Sequence, residues 1–250
     1  QTQADAIHPG YGYLSENSAF AEACEVSELI FIGAPPSAMD HMGDKAEARN
    51  FAKKARVPVI PGSNGPVTSE SDALRQAQKI GYPVLLKAVA GGGGKGIRLA
   101  RDSEEFATNL RLAKTEAAAS FGSADIYVEK LVTDARHIEV QVMADSHGNV
   151  IHLGERDCSV QTPRRQKVVE EAPAIGIDPK VRSKMTECAI RLTKQVGYRG
   201  AGTIEFLYDH DGHFYFMEMN TRLQVEHCVT EALTDTDLVQ MQLLVASGDK

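Results

Sequence analysis

The chain has 250 residues, 42% of them apolar and 24% charged, with a formal net charge of −7 at pH 7. That length fits one large domain or two small ones, and the balance is ordinary for a globular protein. The acidic balance excludes the basic footprint of a nucleic-acid binder, and no apolar run reaches the length of a membrane span.

The elements follow in chain order. Residues 1–35 read as the tail of an α/β unit, with helical spacing from Ser18 to Glu25 and a short buried strand at Leu29–Gly33. Residues 36–56 read as two helices, starting near Pro36-Ser37 and near Asp44, which puts Lys45 at a helix start. Pro58 to Ser69 holds three prolines and two glycines, a loop and a subdomain boundary. Residues 70–132 form a small α+β module: a helix at Ser71–Ile80, strands at Val84–Val89, Ile97–Ala100 and Ile126–Lys130, and a helix at Glu104–Ala118. Alternating strands flank Ser146-His147-Gly148-Asn149. A helix spans 179–196, a hairpin 202–220 and a last helix 235–247. The cysteines Cys24, Cys158, Cys188 and Cys228 make no C-x-x-C pair, so neither a zinc site nor a disulfide framework is expected, and a reducing compartment is. No signal or transit peptide is visible, which points to cytoplasm, mitochondrial matrix or plastid. The start at Gln1 and the end at Lys250 read as those of a fragment.

The hairpin carries the sharpest chemical signal. Taking Asp211-Gly212 as a two-residue turn places Glu205 directly opposite Glu218. Facing like charges destabilise a ladder. A divalent cation would bridge them, with Asn220 as a third oxygen ligand, and magnesium with few protein ligands arrives with phosphate. Gly91-Gly92-Gly93-Gly94-Lys95-Gly96 joins two strands and opens no helix, so it reads as a backbone flap over phosphates rather than a P-loop. Lys87 lies in an apolar strand and needs a partner, either a phosphate or a carboxylate. Glu129-Lys130-Leu131-Val132 ends a strand where backbone groups can meet a base edge. Arg164, Arg165 and Lys167 form a positive cluster in a polar loop over 157–167, suited to a small anion. In Asn220–His227, an extended course puts Arg222 and Gln224 on one side. Arginine holds carboxylate-like anions through paired hydrogen bonds, and Glu226 is a nearby candidate base. His227-Cys228 lacks the third group of a thiol nucleophile.

Together these stretches resemble biotin carboxylase, an ATP-grasp ligase. The matching segments are His8–Asn17, Met42–Lys45, Gly81–Val84, the glycine loop, Glu155–Ser159, Gln166–Pro173 and Glu218–His227. The resemblance implies an α/β (α+β) ATP-grasp fold. Residues 1–35 would end a Rossmann-like pre-ATP-grasp lobe, 36–59 would start the core, 60–131 would be a mobile lid, and 132–250 would be core, truncated before a C-terminal lobe. It implies that Lys45, Lys87, Gly93, Gly94, Glu129, Lys130, Val132, His137 and Gln161 contact ATP, and that Glu205, Glu218 and Asn220 hold magnesium or manganese. Lys167, Arg222, Gln224 and the Val225 backbone would bind bicarbonate, with Glu226 as its base. The implied reaction carboxylates biotin through carboxyphosphate. Its implied partners are a biotin carboxyl carrier protein or domain, a carboxyltransferase and a second copy of the chain. Two departures stand out. One extra residue lies between Gln161 and Lys167, with Arg165 where the family has a nucleotide-contacting histidine, and Cys228 replaces a proline. A catalytically silent nucleotide-binding module and another ATP-grasp ligase are the competing readings.

Overall fold

The computed structural model describes residues 2–63, 65–89, 96–163 and 166–250. Contacts divide the chain into one unit of Gln1–Val59 with Asp134–Lys250 and a second of Ile60–Thr133. Residues 1–35 and 36–59 thus belong to one unit.

In the first unit, β1 (Ala6–Ile7) pairs in parallel with β2 (Ile30–Phe31) across α1 (Ser18–Val26). The strand expected over Leu29–Gly33 shrinks to two residues. Helices α2 (Pro36–Gly43) and α3 (Lys45–Lys54) are parted by Asp44. Its carboxylate accepts the N–H groups of Ala46 and Glu47 at 2.8 and 2.9 Å. Such a cap stabilises a helix by about 1 kcal/mol. It also makes Lys45 the first, exposed residue of α3.

The second unit contains α4 (Glu70–Ile80), β3 (Val84–Ala88), β4 (Ile97–Ala100), α5 (Ser103–Phe121) and β5 (Ile126–Lys130). Its sheet runs β4-β3-β5, antiparallel throughout. Val84, Leu86 and Ala88 alternate inward and meet Ile126 and Val128, under Phe106, Leu110 and Ala113 of α5. Asp102 caps α5 and Gly122 closes it in the left-handed conformation that glycine tolerates.

The first unit continues with β6 (Arg136–Ala144), β7 (Val150–Gln161), β8 (Lys167–Glu171), α6 (Pro179–Val196), β9 (Gly200–Tyr208), β10 (Phe214–Asn220), α7 (His227–Thr234) and α8 (Leu238–Ala246). The sheet order is β10-β9-β6-β7-β8, every neighbour antiparallel. Ile138, Val140 and Val142 of β6 pack with Met185 and Leu192 of α6 and with Phe206 and Phe216 in the main core. Each such burial stabilises by about 1.5–3 kcal/mol. The other face of β6 is buried too. It carries Glu139, Gln141 and Met143, and Met143 packs with Leu223 and Leu238 beneath α8.

Three expectations are corrected. The stretch 157–161 is the end of β7, not loop. The last helix falls where it is expected, as α8 capped by Asp237 through Gln240 N–H, but an unexpected helix, α7, precedes it and ends at the left-handed Asp235. Because α7 starts at His227, the 220–227 segment is not one extended run: β10 ends at Asn220, Arg222 lies in a bend and Val225–Glu226 in a turn. The hairpin turn is not Asp211-Gly212 alone. The connection covers 209–213, Phe216 faces Phe206, and a bulge between Phe216 and Glu218 restores Glu205 opposite Glu218. The expected pairing holds although the turn that predicts it is wrong.

Candidate active site

Backbone pairing assembles a row across four strands. Glu218 of β10 faces Glu205 of β9, Glu205 faces Glu139 of β6, and Glu139 faces Arg156 of β7. Three carboxylates side by side repel one another. Lys167, at the start of edge strand β8, supplies the compensating charge. Its Nζ donates to Glu139 Oε2 at 2.5 Å, Glu205 Oε1 at 3.0 Å and Glu226 Oε1 at 2.6 Å. All three ammonium hydrogens are thereby occupied. Burial alone would lower the Lys167 pKa, but the Glu139 and Glu205 carboxylates override it and hold it above the usual lysine range.

Glu205 is buried and also accepts from Asn220 Nδ2 at 2.8 Å. His137 Nε2 lies 3.2 Å from its other oxygen. Burial would raise the Glu205 pKa, yet His137 and Lys167 bring it down to about 2. Lys167 and His137 thus offset part of the charge that the facing glutamates bring together. Glu218 differs. Among the described residues it makes no side-chain hydrogen bond or ion pair. Although its surface is exposed, the protein packed around its carboxyl, and then the Glu205 charge, raise its pKa. The Lys45 charge acts on it in the opposite sense. Two carboxylates and the Asn220 amide are the oxygen donors a hard cation prefers, so these residues fit magnesium or manganese.

Glu226 sits at the N-cap of α7. Burial would raise its pKa, but the Lys167 hydrogen bond and charge hold it below the usual range. Beside it, Arg222 Nε donates to Glu16 Oε2 at 3.0 Å, and Glu16 Oε1 accepts the Thr221 N–H at 3.0 Å. Lys167, Glu205, Asn220, Arg222, Gln224, Val225 and Glu226 line one cleft of about 580 Å³, together with Tyr11 and Cys228. The Cys228 thiol reaches the Val225 carbonyl at 3.8 Å. Gln161 Nε2 donates to His137 Nδ1 at 3.1 Å, which leaves His137 Nε2 facing Glu205 Oε2 at 3.2 Å and Glu139 Oε2 at 3.7 Å.

In the second unit Lys87 forms an ion pair with Glu129, so the partner its burial demands is a carboxylate. Lys130 Nζ donates to the carbonyls of Gly81 and Tyr82 at 3.0 and 2.9 Å. Val132 lies in the connection after β5. Gly93, Gly94 and Arg165 lie outside the described residues.

The comparisons bear on this arrangement. Residues 44–250 match the family model for the carbamoyl-phosphate synthase L chain, ATP-binding domain, and residues 1–39 match the biotin carboxylase N-terminal domain. The chain belongs to that ATP-binding family, in its biotin carboxylase form. Biotin carboxylase 1 of Bacillus subtilis is 52% identical over 99% of this chain and 55% of its own length. The mitochondrial methylcrotonoyl-CoA carboxylase subunit alpha of Mus musculus is 54% identical over 99% of this chain and 34% of its own. The biotin carboxylase domain dimer of Hydrogenobacter thermophilus 2-oxoglutarate carboxylase, solved with MgADP, ADP and bicarbonate, superposes with a TM-score of 0.83 at 48% identity, covering 99% of this chain and 54% of that one. The chain spans about half the length of the biotin carboxylases it matches, and the fold is ATP-grasp.

Within this biotin carboxylase chain, sequence reasoning misses Glu139, Gln141, Arg156 and Glu16. Single polar residues alternating with apolar ones in a strand read as a solvated face. Only the covering of that face by α7 and α8 buries Glu139, Gln141 and Arg156, whereas Glu16 is exposed in the helical turn Tyr13–Glu16. The available signal is that Glu155-Arg156-Asp157 and Glu16 both belong to matching segments without an assigned role. No helix among the described residues is long and apolar enough to cross a membrane.

Proposed function

We propose that this chain carries out the ATP-dependent carboxylation of biotin on a carrier protein, with bicarbonate as carbon source and carboxyphosphate as intermediate. The observation that carries the reading is Lys167, saturated by three carboxylates on the floor of a cleft that also presents Arg222, Gln224 and Glu226. An incoming anion takes a Lys167 hydrogen from Glu226. That exchange frees the Glu226 carboxylate and, by removing the ammonium beside it, makes it a stronger base. Glu226 then accepts the bicarbonate proton, and the bicarbonate oxygen attacks the γ-phosphorus of ATP while the bond to ADP breaks. Carboxyphosphate collapses to CO2 and phosphate. Phosphate takes the ureido N–H proton of biotin, and that nitrogen bonds to CO2. Arg222, fixed by Glu16 through Nε, holds the anion and then the biotin oxygen. Magnesium or manganese at Glu205, Glu218 and Asn220 would neutralise developing phosphate charge when bound. Lys45, Lys87, Glu129, Lys130, Val132, His137 and Gln161 are the proposed nucleotide contacts.

The proposed partners are a biotin carboxyl carrier, a carboxyltransferase and a second copy, acting in the cytoplasm or mitochondrial matrix. Kinship with a CoA carboxylase subunit supports the first two. The deciding experiment measures ATP hydrolysis by the protein with and without bicarbonate and free biotin. Hydrolysis that requires bicarbonate and rises with biotin is expected. Turnover indifferent to both would overturn the reading, and nucleotide binding without turnover would favour the silent module.

A further inference from the structure

Arg156 lies wholly inside the protein, as does its partner Glu139, both at 0% exposure. A buried arginine is retained only with a full set of acceptors. Nε donates to Glu139 Oε1 at 2.6 Å, and Nη1 donates to Gln141 Oε1 and Thr230 Oγ1, each at 2.8 Å. Nη2 donates to Gln224 Oε1 at 3.0 Å and to Thr203 Oγ1 at 3.4 Å. These acceptors sit on β6, α7, β9 and the segment before α7. The planar guanidinium thus cross-links the elements that carry the cleft.

Three of the five links lead to an anion-site residue. Glu139 turns one oxygen to Arg156 and the other to Lys167. Gln224 gives its oxygen to Arg156, which aims its amide nitrogen toward Glu205 at 3.4 Å. Thr230 fixes α7, whose N-cap is Glu226.

We infer that Arg156 is the positioning residue of the anion cleft: it touches no substrate, and one guanidinium sets the places of Lys167, Gln224 and Glu226 together. This rests on the proposed bicarbonate site. Lysine cannot replace it, because a point charge lacks the fork that reaches five acceptors at fixed angles.

The test compares the wild-type protein with Arg156→Lys, Arg156→Met and Thr230→Val in two measurements. In steady-state ATP hydrolysis, KM for bicarbonate is expected to rise about tenfold to a hundredfold in Arg156→Lys, while KM for ATP stays within about threefold. Independently of activity, acetylation of Lys167 by an amine-reactive ester, read by peptide mass spectrometry against exposed Lys180, is expected to be slow in wild type and several-fold faster in Arg156→Lys. Thr230→Val, lacking a single bond, covers the case in which both arginine variants fail to fold, and raises KM for bicarbonate alone. A folded Arg156→Lys with unchanged Lys167 labelling and unchanged KM for bicarbonate would overturn the inference. Wild-type hydrolysis without bicarbonate dependence would remove the function proposed above, and the labelling would still decide the positioning role.

Discussion

Glu218 stands opposite Glu205 because one residue, Met217, is bulged out of β10 between Phe216 and Glu218. Without the bulge, Glu218 would point to the other side of the sheet. The bulge re-aims a carboxylate toward Glu205, and the protein packed around the Glu218 carboxyl, then the Glu205 charge, raise its pKa.

Glu218→Gln should therefore weaken magnesium-dependent nucleotide binding by at least about tenfold, ~1.4 kcal/mol. It should leave the melting temperature nearly unchanged, since the side chain is exposed. Calorimetric titration of nucleotide at several magnesium concentrations checks this. An unaltered metal dependence would take Glu218 out of the site.

Glu226→Gln keeps the size of the side chain and removes the base. Bicarbonate-stimulated hydrolysis should fall by about 10²–10⁴-fold, and the nucleotide Kd should not move. Loss of nucleotide binding would instead assign Glu226 a structural task.

Asp157 gives a pH signature away from the cleft. Burial would raise its pKa, but the Ser159 hydroxyl and Arg136, whose Nη2 lies 2.6 Å from Oδ2, hold it below the usual value. A depressed folded-state pKa adds stability above the unfolded value of about 3.9 and loses it as pH falls through the folded one. Urea unfolding of wild type and Asp157→Asn should differ by a constant amount of about 1–2 kcal/mol above pH 5; the gap should shrink as pH falls below about 4 and close below the depressed folded-state pKa. A gap that persists in acid would rule out the ionised carboxylate as its source.

Some of this was legible in the residues and some was not, for physical reasons. Alternation of apolar and polar residues on both sides of 209–213 marks a hairpin, but it does not reveal that Glu218 leaves the face of Phe214 and Phe216, because the bulge reverses the alternation there. The turn misleads because Asp209 organises a longer connection, accepting the N–H groups of Asp211 and His213, and the bulge then cancels the offset. Lys87 announces a need for a partner but not its identity, since a carboxylate and a phosphate satisfy an ammonium equally. Arg156 and Glu139 leave no local trace. Their burial is decided by α7 and α8, which arrive late in the chain, and the first of these is not expected from the sequence.

Gly202 of β9 supports a core prediction. A Cβ there would meet the Tyr198 ring at 2.8 Å, and the Tyr198 hydroxyl is fixed by the Ala201 carbonyl at 2.8 Å. The ring has no room to retreat, so Gly202→Ala should destabilise by about 1–3 kcal/mol. Thermal unfolding with the paired change Tyr198→Leu should restore most of the loss. A single variant as stable as wild type would refute the clash.

The depth of Arg156 has a consequence for ionic strength. Dissolved ions weaken attractions only where they can approach, within about 8 Å in physiological saline, and neither Arg156 nor Glu139 has a surface for them to approach. The Arg222–Glu16 pair at the rim does. Concentrated salt should thus slacken the mouth of the cleft while its floor keeps its shape.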